Sequence, residues 1–421
     1  MTAIENDLPS DITKANLVTP EVLECPYPYY QRVRDEAPVH QTPLGFWAVS
    51  RYEDIMHMVR DPEHFSSQSV SNRVVAPPPP EVLEIEREGY RPVDTLLSND
   101  PPSHTQFRTL VNKAFLPKRV AQLEDSIRTI ANDLIDAFID DGKVDLVTQF
   151  AIGVPLTVIA DALGVDRKDM PKFKQWSDDS VAPLSGLLTP ERQVQCARSR
   201  VEMQHYMAER VRERQANPKD DLLSDLVLAR FDSGDRAGDG LTMEEMQSVI
   251  AQLLVAGNET TTNLIAMGVY HLVQNPDQMA KVRANPALIP NLVEEALRLE
   301  APVQMLPRRT TQDVSIAGVE IPKGSLCMAM YGSANRDDRK YPNPDAFDVE
   351  RDNARTHMAF GQGPHFCPGA ALARSEARIA FELLLSRIDN IAIAPVAEPT
   401  HRELSMTLRG LTALHLTFTP A

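Results

Sequence analysis

The sequence contains the loop Phe360-Gly361-Gln362-Gly363-Pro364-His365-Phe366-Cys367-Pro368-Gly369, followed by the run AALARSEARIAFELLL, which has helical spacing. Cys367 therefore stands where a loop enters a helix, and the N–H groups exposed at that end favour a thiolate over a thiol. No other cysteine or set of histidines nearby supplies further ligands, which excludes a zinc or iron–sulfur site with its usual set of about four. A single thiolate is sufficient to bind a haem iron.

This loop resembles the cysteine loop of the cytochrome P-450 family of haem-thiolate monooxygenases. All six fixed positions of the family pattern F-G-x-G-x-H-x-C-x-G are present, whereas a structural cysteine after a glycine-rich turn would not require them. The resemblance implies haem b as cofactor, Cys367 as the axial ligand of its iron, and Gly361 as a neighbour of the haem. It also implies a fold that is mainly α with a smaller β-rich part, a single-domain triangular prism.

The composition is that of a globular protein with a large core, since 43% of the 421 residues are hydrophobic and 24% are charged. The net charge of −16 disfavours binding to nucleic acid. Four scattered cysteines, Cys25, Cys196, Cys327 and Cys367, do not suggest a disulfide framework. The N-terminus lacks a signal-peptide pattern, and no long apolar run occurs. We expect a cytoplasmic monomer without a membrane anchor.

Hydrophobic periodicity predicts that helices dominate the first three quarters of the chain. The longest predicted helix runs from Thr242 to Gln274, with a capping box formed by Thr242 and Glu245. Further helices are predicted over residues 51–59, 103–114, 119–139, 192–214 and 218–230. Strand-like alternation is found over residues 39–49, which suggest a hairpin, and over 314–330. A last pair of strands is predicted over 391–393 and 414–418.

Length alone would allow two or three domains. The residues that the resemblance assigns to one haem extend from His104 to Cys367, so residues 1–421 are predicted to form a single domain. Residues 1–30 are expected to be an N-terminal extension. The proline-rich stretch 66–102, which includes Pro77–Pro80, is predicted to be a mostly irregular substrate-access loop; a solvated tether is the alternative.

The middle of the long predicted helix reads Ala256-Gly257-Asn258-Glu259-Thr260-Thr261-Thr262, where polar residues and a glycine interrupt an apolar pattern. One interpretation is a helix bent by threonine hydroxyls that bond to its own carbonyls. The stretch also resembles the family motif (A/G)-G-x-(D/E)-T. That resemblance implies that Thr260 hydrogen-bonds dioxygen or its water, that Glu259 relays protons, and that Gly257 leaves room for dioxygen.

Four basic residues are candidates for binding the two haem propionates, which need cationic partners in a protein interior. His104 and Arg108 are four residues apart on a predicted helix and match the family pattern H-x-x-x-R. The resemblance adds Arg308 and His365.

Glu295 and Arg298 share one face of another predicted helix. An exposed pair of this kind contributes under about 1 kcal/mol to stability. The pair also matches the family's buried E-x-x-R motif, which an arginine ahead of the cysteine loop completes. That arginine is expected to be Arg351, and the three residues are assigned to folding and haem retention.

Helical spacing places Gln252, Ala256 and Thr260 on one stripe that would face the haem, with Val255 beside it. The resemblance adds the turn after the helix of Glu295 and Arg298, and the C-terminal segment near Thr407. The wall is mostly apolar with two glutamines, which suits a terpenoid, steroid, fatty or aromatic substrate that carries an oxygen atom. The predicted pocket residues are Gln252, Val255, Ala256, Val303, Gln304 and Thr407.

The resemblance implies insertion of one atom of dioxygen into a small lipophilic substrate, with electrons from a separate ferredoxin and its NAD(P)H-dependent ferredoxin reductase. Alternatives are a peroxide-using peroxygenase, a non-catalytic haem protein that senses or binds a ligand, and a cysteine hydrolase built on Cys367 and His365. An acidic ferredoxin would dock on a local basic patch. The candidates for that patch are Arg108, Lys113, Lys118, Arg119 and Arg374.

Overall fold

Helices make up most of the computed structural model, which describes residues 8–68, 78–185, 188–395, 400–401 and 405–421. A mainly α fold is therefore confirmed. No helix among these residues is both long and apolar enough to cross a membrane. In chain order the helices are α1 Pro20–Glu24, α2 Tyr27–Glu36, α3 Tyr52–Arg60, α4 Pro80–Glu86, α5 Ser103–Asn112, α6 Pro117–Asp136, α7 Gly153–Ala162, α8 Met170–Val181, α9 Pro190–Ala216, α10 Leu222–Leu228, α11 Met243–Gln274, α12 Pro276–Ala284, α13 Ile289–Leu299, α14 Tyr331–Ala334 and α15 Ala370–Arg387.

The strands form a smaller β-rich part. They are β1 Val39–Gln41, β2 Trp47–Val49, β3 Phe65–Ser66, β4 Lys143–Asp145, β5 Leu306–Thr310, β6 Val314–Ile316, β7 Val319–Ile321, β8 Leu326–Ala329, β9 Ile388–Ile393, β10 Thr400–His401, β11 Leu411–Ala413 and β12 His415–Pro420. One sheet has the order β1-β2-β8-β5-β3, another has the order β4-β12-β9, and β6-β7 and β10-β11 form two-stranded pairs. The predicted hairpin β1-β2 and the predicted pairing of β9 with β12 are both confirmed.

Helix α11 spans two hydrophobic clusters and brings its polar middle into the interior. Its 32 residues cover about 48 Å. The predicted capping box is confirmed, because the N–H of Glu245 donates to Thr242 Oγ1 and the N–H of Thr242 donates to Glu245 Oε2. Val249 and Leu254 pack in a cluster with α7 to α10, whereas Leu264 belongs to a cluster with α6, α13 and α15.

Two stretches differ from the sequence predictions. The connection 66–102 is less irregular than expected, because Pro80 begins helix α4, where a proline lacks no needed hydrogen bond; residues 69–77, including Pro77, lie outside the described residues. Helix α10 is shorter than the predicted 218–230, because Asp221 accepts a hydrogen bond from the N–H of Ser224 and caps the helix there.

The N-terminal residues pack onto the sheet. Ile12, Leu17, Tyr29 and Tyr30 are buried and belong to the same hydrophobic cluster as the five-stranded sheet. Helices α1 and α2 therefore contribute to the core next to β1.

Candidate active site

The cysteine loop ends just before helix α15. The N–H of Cys367 donates to the carbonyl of Phe360 at 2.8 Å, and α15 begins at Ala370, so Pro368 lies in the preceding turn and not in the helix. Burial raises the pKa of the Cys367 thiol, although the N–H groups of Gly369 and Ala370 act in the opposite direction. The helix end alone does not favour the thiolate, in contrast to the prediction, because desolvation outweighs it. A cation bound at the sulfur would be needed to hold Cys367 in the thiolate form.

Two glycines of the loop have left-handed backbone conformations. Gly361 has φ +66°, and a Cβ on it would make only ordinary contact with the carbonyl of His365. Glycine is therefore favoured here by the left-handed backbone and not by a lack of space for a side chain. Gly363 has φ +69°, and a Cβ there would lie 2.5 Å from the carbonyl of Val59. Gly363 therefore lets the loop pack against the end of α3.

Two histidines meet beside this loop. The ring centroids of His104, on α5, and His365 are 4.2 Å apart. The Nε2 atoms of both rings are buried and have no hydrogen-bond partner within the described ranges. Burial lowers the pKa of His365 to about 3, and the charge of Arg308 adds to the effect. Two buried nitrogen atoms without partners indicate that a polar group of a ligand belongs here.

Two arginines complete the cluster. Arg308, on β5, is buried and donates to the carbonyl of Pro307, and Arg108 donates to Asn112 at 2.8 Å and to the carbonyl of Phe366. Among the ion pairs of the described residues, neither has a carboxylate partner. A buried guanidinium without an anion is costly. The predicted propionate ligands His104, Arg108, Arg308 and His365 thus converge at the cysteine loop and fit the carboxylates of a haem.

A buried charge cluster supports the loop from the other side. Arg298 binds both carboxylate oxygens of Glu295 at 2.7 and 2.8 Å, and Arg351 donates to the same carboxylate at 3.1 Å. Arg298 also donates to three carbonyls, which satisfies its guanidinium in a fully buried place. Breaking such a network typically costs about 3–5 kcal/mol. The structure therefore brings Glu295, Arg298 and Arg351 together as a folding element.

A second acid beside this cluster was not anticipated from the sequence. Glu294 accepts from Arg374 at 2.6 Å and lies 3.1 Å from Nε2 of His357. Burial opposes its charge, but His357 and Arg374 lower the pKa of Glu294 to about 2. The guanidinium of Arg374 lies 4.6 Å from the ring centroid of Phe360, at the start of the cysteine loop. The sequence does contain a hint of this second acid, since Glu294 directly precedes the motif residue Glu295.

The polar middle of α11 has one open side. Ala256 is exposed and Thr260 is partly exposed, although both lie in the middle of a helix that crosses the core, whereas Glu259 is buried. Thr260 Oγ1 donates to the carbonyl of Ala256 at 2.9 Å. This is the alternative interpretation of the sequence, in which a threonine hydroxyl bonds to a carbonyl of its own helix. Asn263 Nδ2 donates to Glu259 at 3.4 Å. A Cβ on Gly257 would contact Ile159 of α7, so the space beside Gly257 is occupied by the packing of α7 against α11.

The predicted pocket residues separate into two groups. Val255, Val303 and Thr407 are half-buried, as expected for a wall. The two glutamines differ. Gln252 is hydrogen-bonded to Thr95 and Leu97 through both ends of its amide. Gln304 Nε2 donates to the carbonyl of Ala301 at 2.6 Å, but its Oε1 is buried without a hydrogen-bond partner among the described residues. The expected polar wall is therefore reduced to the amide oxygen of Gln304.

Most candidates for the basic docking patch already have acidic partners. Arg119 pairs with Asp220 at 2.7 Å and with Asp225 at 3.2 Å, and Lys113 pairs with Asp232 at 3.1 Å. Together with Arg374, which Glu294 neutralises, these residues supply little free positive charge.

Comparison with known proteins identifies the family of this chain. The family model "Cytochrome P450" matches residues 37–409. The chain is 35% identical over 391 residues to 6-deoxyerythronolide B hydroxylase of Saccharopolyspora erythraea, covering 91% of this chain and 94% of that protein.

Two solved structures share the fold. Cytochrome P450 CYP109Q5 from Chondromyces apiculatus superposes with a TM-score of 0.85 and is 37% identical, with 97% of this chain and 99% of that chain covered. CYP109E1 from Bacillus megaterium in complex with testosterone gives a TM-score of 0.80 at 32% identity, with 93% and 99% covered. The chain therefore belongs to the cytochrome P450 family of haem-thiolate monooxygenases.

Proposed function

We propose that this enzyme inserts one atom of dioxygen into a small lipophilic substrate, at a chamber between α11 and the cysteine loop. We call this space the substrate chamber; its wall is formed by Val255, Ala256, Thr260, Val303 and Thr407. One observation carries the proposal. Thr95 and Leu97 bond to Gln252 of α11, and Leu96 between them lies next to His365, so three consecutive residues lie between the helix and the loop.

Haem b is the proposed cofactor. Cys367 would bind its iron, and His104, Arg108, Arg308 and His365 would bind its propionates. When bound, the haem supplies the iron centre for splitting dioxygen, so that one atom enters the substrate and the other leaves as water with two external electrons and two protons.

Thr260 and Glu259 are the proposed proton-transfer residues. Because the hydroxyl of Thr260 donates its proton to Ala256, its oxygen is left to accept a hydrogen bond from a group in the chamber. Glu259 precedes Thr260 in the sequence and is buried, and its carboxylate accepts a hydrogen bond from the amide of Asn263. In this proposal Glu259 is the buried acid that supplies a proton, and Thr260 positions the group in the chamber that receives it.

The proposed substrate is a terpenoid, steroid, fatty or aromatic compound. The chamber wall is mainly apolar, and the amide of Gln252 is engaged by the protein, so the wall favours burial of hydrocarbon. One relative is named for hydroxylating 6-deoxyerythronolide B, and one similar structure binds testosterone. Testosterone is a steroid, one of the proposed compound types.

A separate ferredoxin, reduced by an NAD(P)H-dependent reductase, is the proposed electron donor. Leu116 and Phe366 are exposed, 52% and 37% respectively, and Phe366 is next to Cys367. Leu116 follows α5, whose Arg108 bonds to the carbonyl of Phe366. Because three of the expected basic residues are neutralised, we infer that apolar contact on this face contributes more to docking than net charge does.

The test is turnover under ¹⁸O-labelled dioxygen with a bacterial ferredoxin, its reductase, NADPH and a panel of steroids and macrolides. We expect one labelled atom in the product. Thr260→Ala should lower product formed per NADPH by at least about tenfold, with reduction of the protein by ferredoxin unchanged. Product that forms only when unlabelled hydrogen peroxide is supplied, and that carries no label from dioxygen, would establish the peroxygenase instead. Tight binding without any product would establish a binding protein.

A further inference from the structure

Side chains of two helices hold the backbone of the segment that follows α4. Gln204, on α9, accepts from the N–H of Tyr90 at 2.9 Å and donates to its carbonyl at 3.2 Å. Ser248, on α11, accepts from the N–H of Val93 at 2.9 Å. Because these bonds reach main-chain atoms, they fix the path of the segment whatever its own side chains are.

Gln252 makes the last of these contacts along α11. Its Oε1 accepts from the N–H of Leu97 at 3.1 Å, and its Nε2 donates to Thr95 Oγ1 at 2.8 Å. Thr95 is fully buried. Leu96, between these two residues, lies next to His365 of the cysteine loop and packs in one hydrophobic cluster with Leu253 of α11. Residues 95–97 therefore lie between α11 and the cysteine loop, and Gln252 supplies the side-chain hydrogen bonds from α11 to them.

The register of α11 shows where this segment ends and the substrate chamber begins. Ser248, Gln252, Ala256 and Thr260 follow one another at intervals of four and share one face of the helix. The first two bind the segment, whereas Ala256 is exposed and Thr260 is partly exposed. Gln252 is thus the residue at which the helix changes from holding the segment to lining the chamber.

We propose that Gln252 is a positioning residue, which fixes residues 95–97 as a wall of the substrate chamber and so controls the entry of bulky substrates. The inference rests on the proposed function only in taking this chamber as the substrate site. Without the Gln252 amide the N–H of Leu97 and the hydroxyl of Thr95 lose their partners, and the wall opens more often. Small molecules that pass without its movement should be insensitive to the change.

The experiment is a double-mutant cycle on the haem-loaded protein with Gln252→Leu, Thr95→Val and both. Hydrogen–deuterium exchange is measured over residues 90–100, together with the association rates of 4-phenylimidazole and imidazole, which bind haem iron and differ in bulk. We expect Gln252→Leu to speed exchange in this segment by about three- to tenfold, which is typical for one hydrogen bond. It should speed association of 4-phenylimidazole by a similar factor and leave imidazole unchanged. Thr95→Val should add nothing to Gln252→Leu, because the two residues share one contact.

The matched control is Thr129→Val on α6, whose hydroxyl bonds to Asp125 of its own helix and touches no part of the segment. It should leave exchange over residues 90–100 unchanged. Unaltered exchange in Gln252→Leu, or additive effects of Gln252→Leu and Thr95→Val, would overturn the proposal. Exchange is read from the chain itself, so an absence of labelled product in the turnover test would refute the proposed function without affecting this result.

Discussion

Glu376 is a buried acid whose surroundings strongly disfavour the charged carboxylate. It lies on α15, is 2% exposed, and is hydrogen-bonded to Thr261 of α11. Burial raises the pKa of Glu376 to about 8, and the bond to Thr261 only partly offsets this. The folded protein therefore binds a proton at Glu376 that the unfolded chain releases near its ordinary pKa of 4.5.

This raised pKa predicts a pH-dependent stability. A raised folded-state pKa gives a contribution that is fully present below pH 4.5 and is lost as pH rises through 8. Replacing Glu376 with Gln should remove that loss, so that between pH 5 and 9 the wild type loses about 4 kcal/mol relative to Glu376→Gln. Urea unfolding at several pH values measures the difference. Glu382→Gln, which alters a partly exposed acid paired with Arg378 on the same helix, is the control and should not reproduce the effect. Parallel pH profiles for the wild type and Glu376→Gln would contradict the account.

At the scale of elements, the contact between α11 and α15 depends on a glycine. A Cβ on Gly268 would overlap Cζ of Phe381 and lie 3.0 Å from its Cε1, and the Phe381 ring is fully buried. By contrast, a Cβ on Gly257 of the same helix would make ordinary contact with Ile159 at 3.5 Å. The same substitution should therefore have opposite effects at the two positions.

Helix propensity alone favours alanine over glycine by about 1 kcal/mol. At Gly257 this gain should be realised, and Gly257→Ala should be neutral or stabilising. At Gly268 the overlap with Phe381 should cost more than this gain, so that Gly268→Ala destabilises by roughly 1–3 kcal/mol. The free energy of unfolding of each variant measures this. Adding Phe381→Leu to Gly268→Ala should recover stability; if the pair of substitutions is less stable than Gly268→Ala alone, the assigned overlap is wrong.

Elements differed in how far the sequence predicted them. The long helix α11 was predictable almost to the residue, because its capping box and its terminal Asn275-Pro276 are local signals. Helix α4 could not be predicted in this way, because a proline-rich stretch favours irregular structure. Its apolar residues Val82 and Ile85 are buried by packing against Ala197 and Val201 of α9. That packing joins residues more than a hundred positions apart, which hydrophobic periodicity does not report.

At the scale of the whole molecule, the groups placed correctly by sequence were those with fixed local spacing. His104 and Arg108 share a helix face, and His365 and Cys367 share a loop, so each pair follows from local spacing. The meeting of the two pairs joins residues more than 250 positions apart and was implied only by the family resemblance. The partners of Gln252 and Arg374 were missed, because Leu97 and Glu294 are 155 and 80 residues distant from them. Such contacts depend on how the elements assemble.

The central claim is that residues from across the chain, between His104 and Cys367, assemble one haem-thiolate site. The most direct measurement is the absorption spectrum of the reduced, carbon monoxide-treated protein, compared with Cys367→Ser. We predict the long-wavelength band of a thiolate-bound haem in the wild type and its loss in Cys367→Ser. A wild-type protein that binds no haem, or a band that persists in Cys367→Ser, would contradict the account.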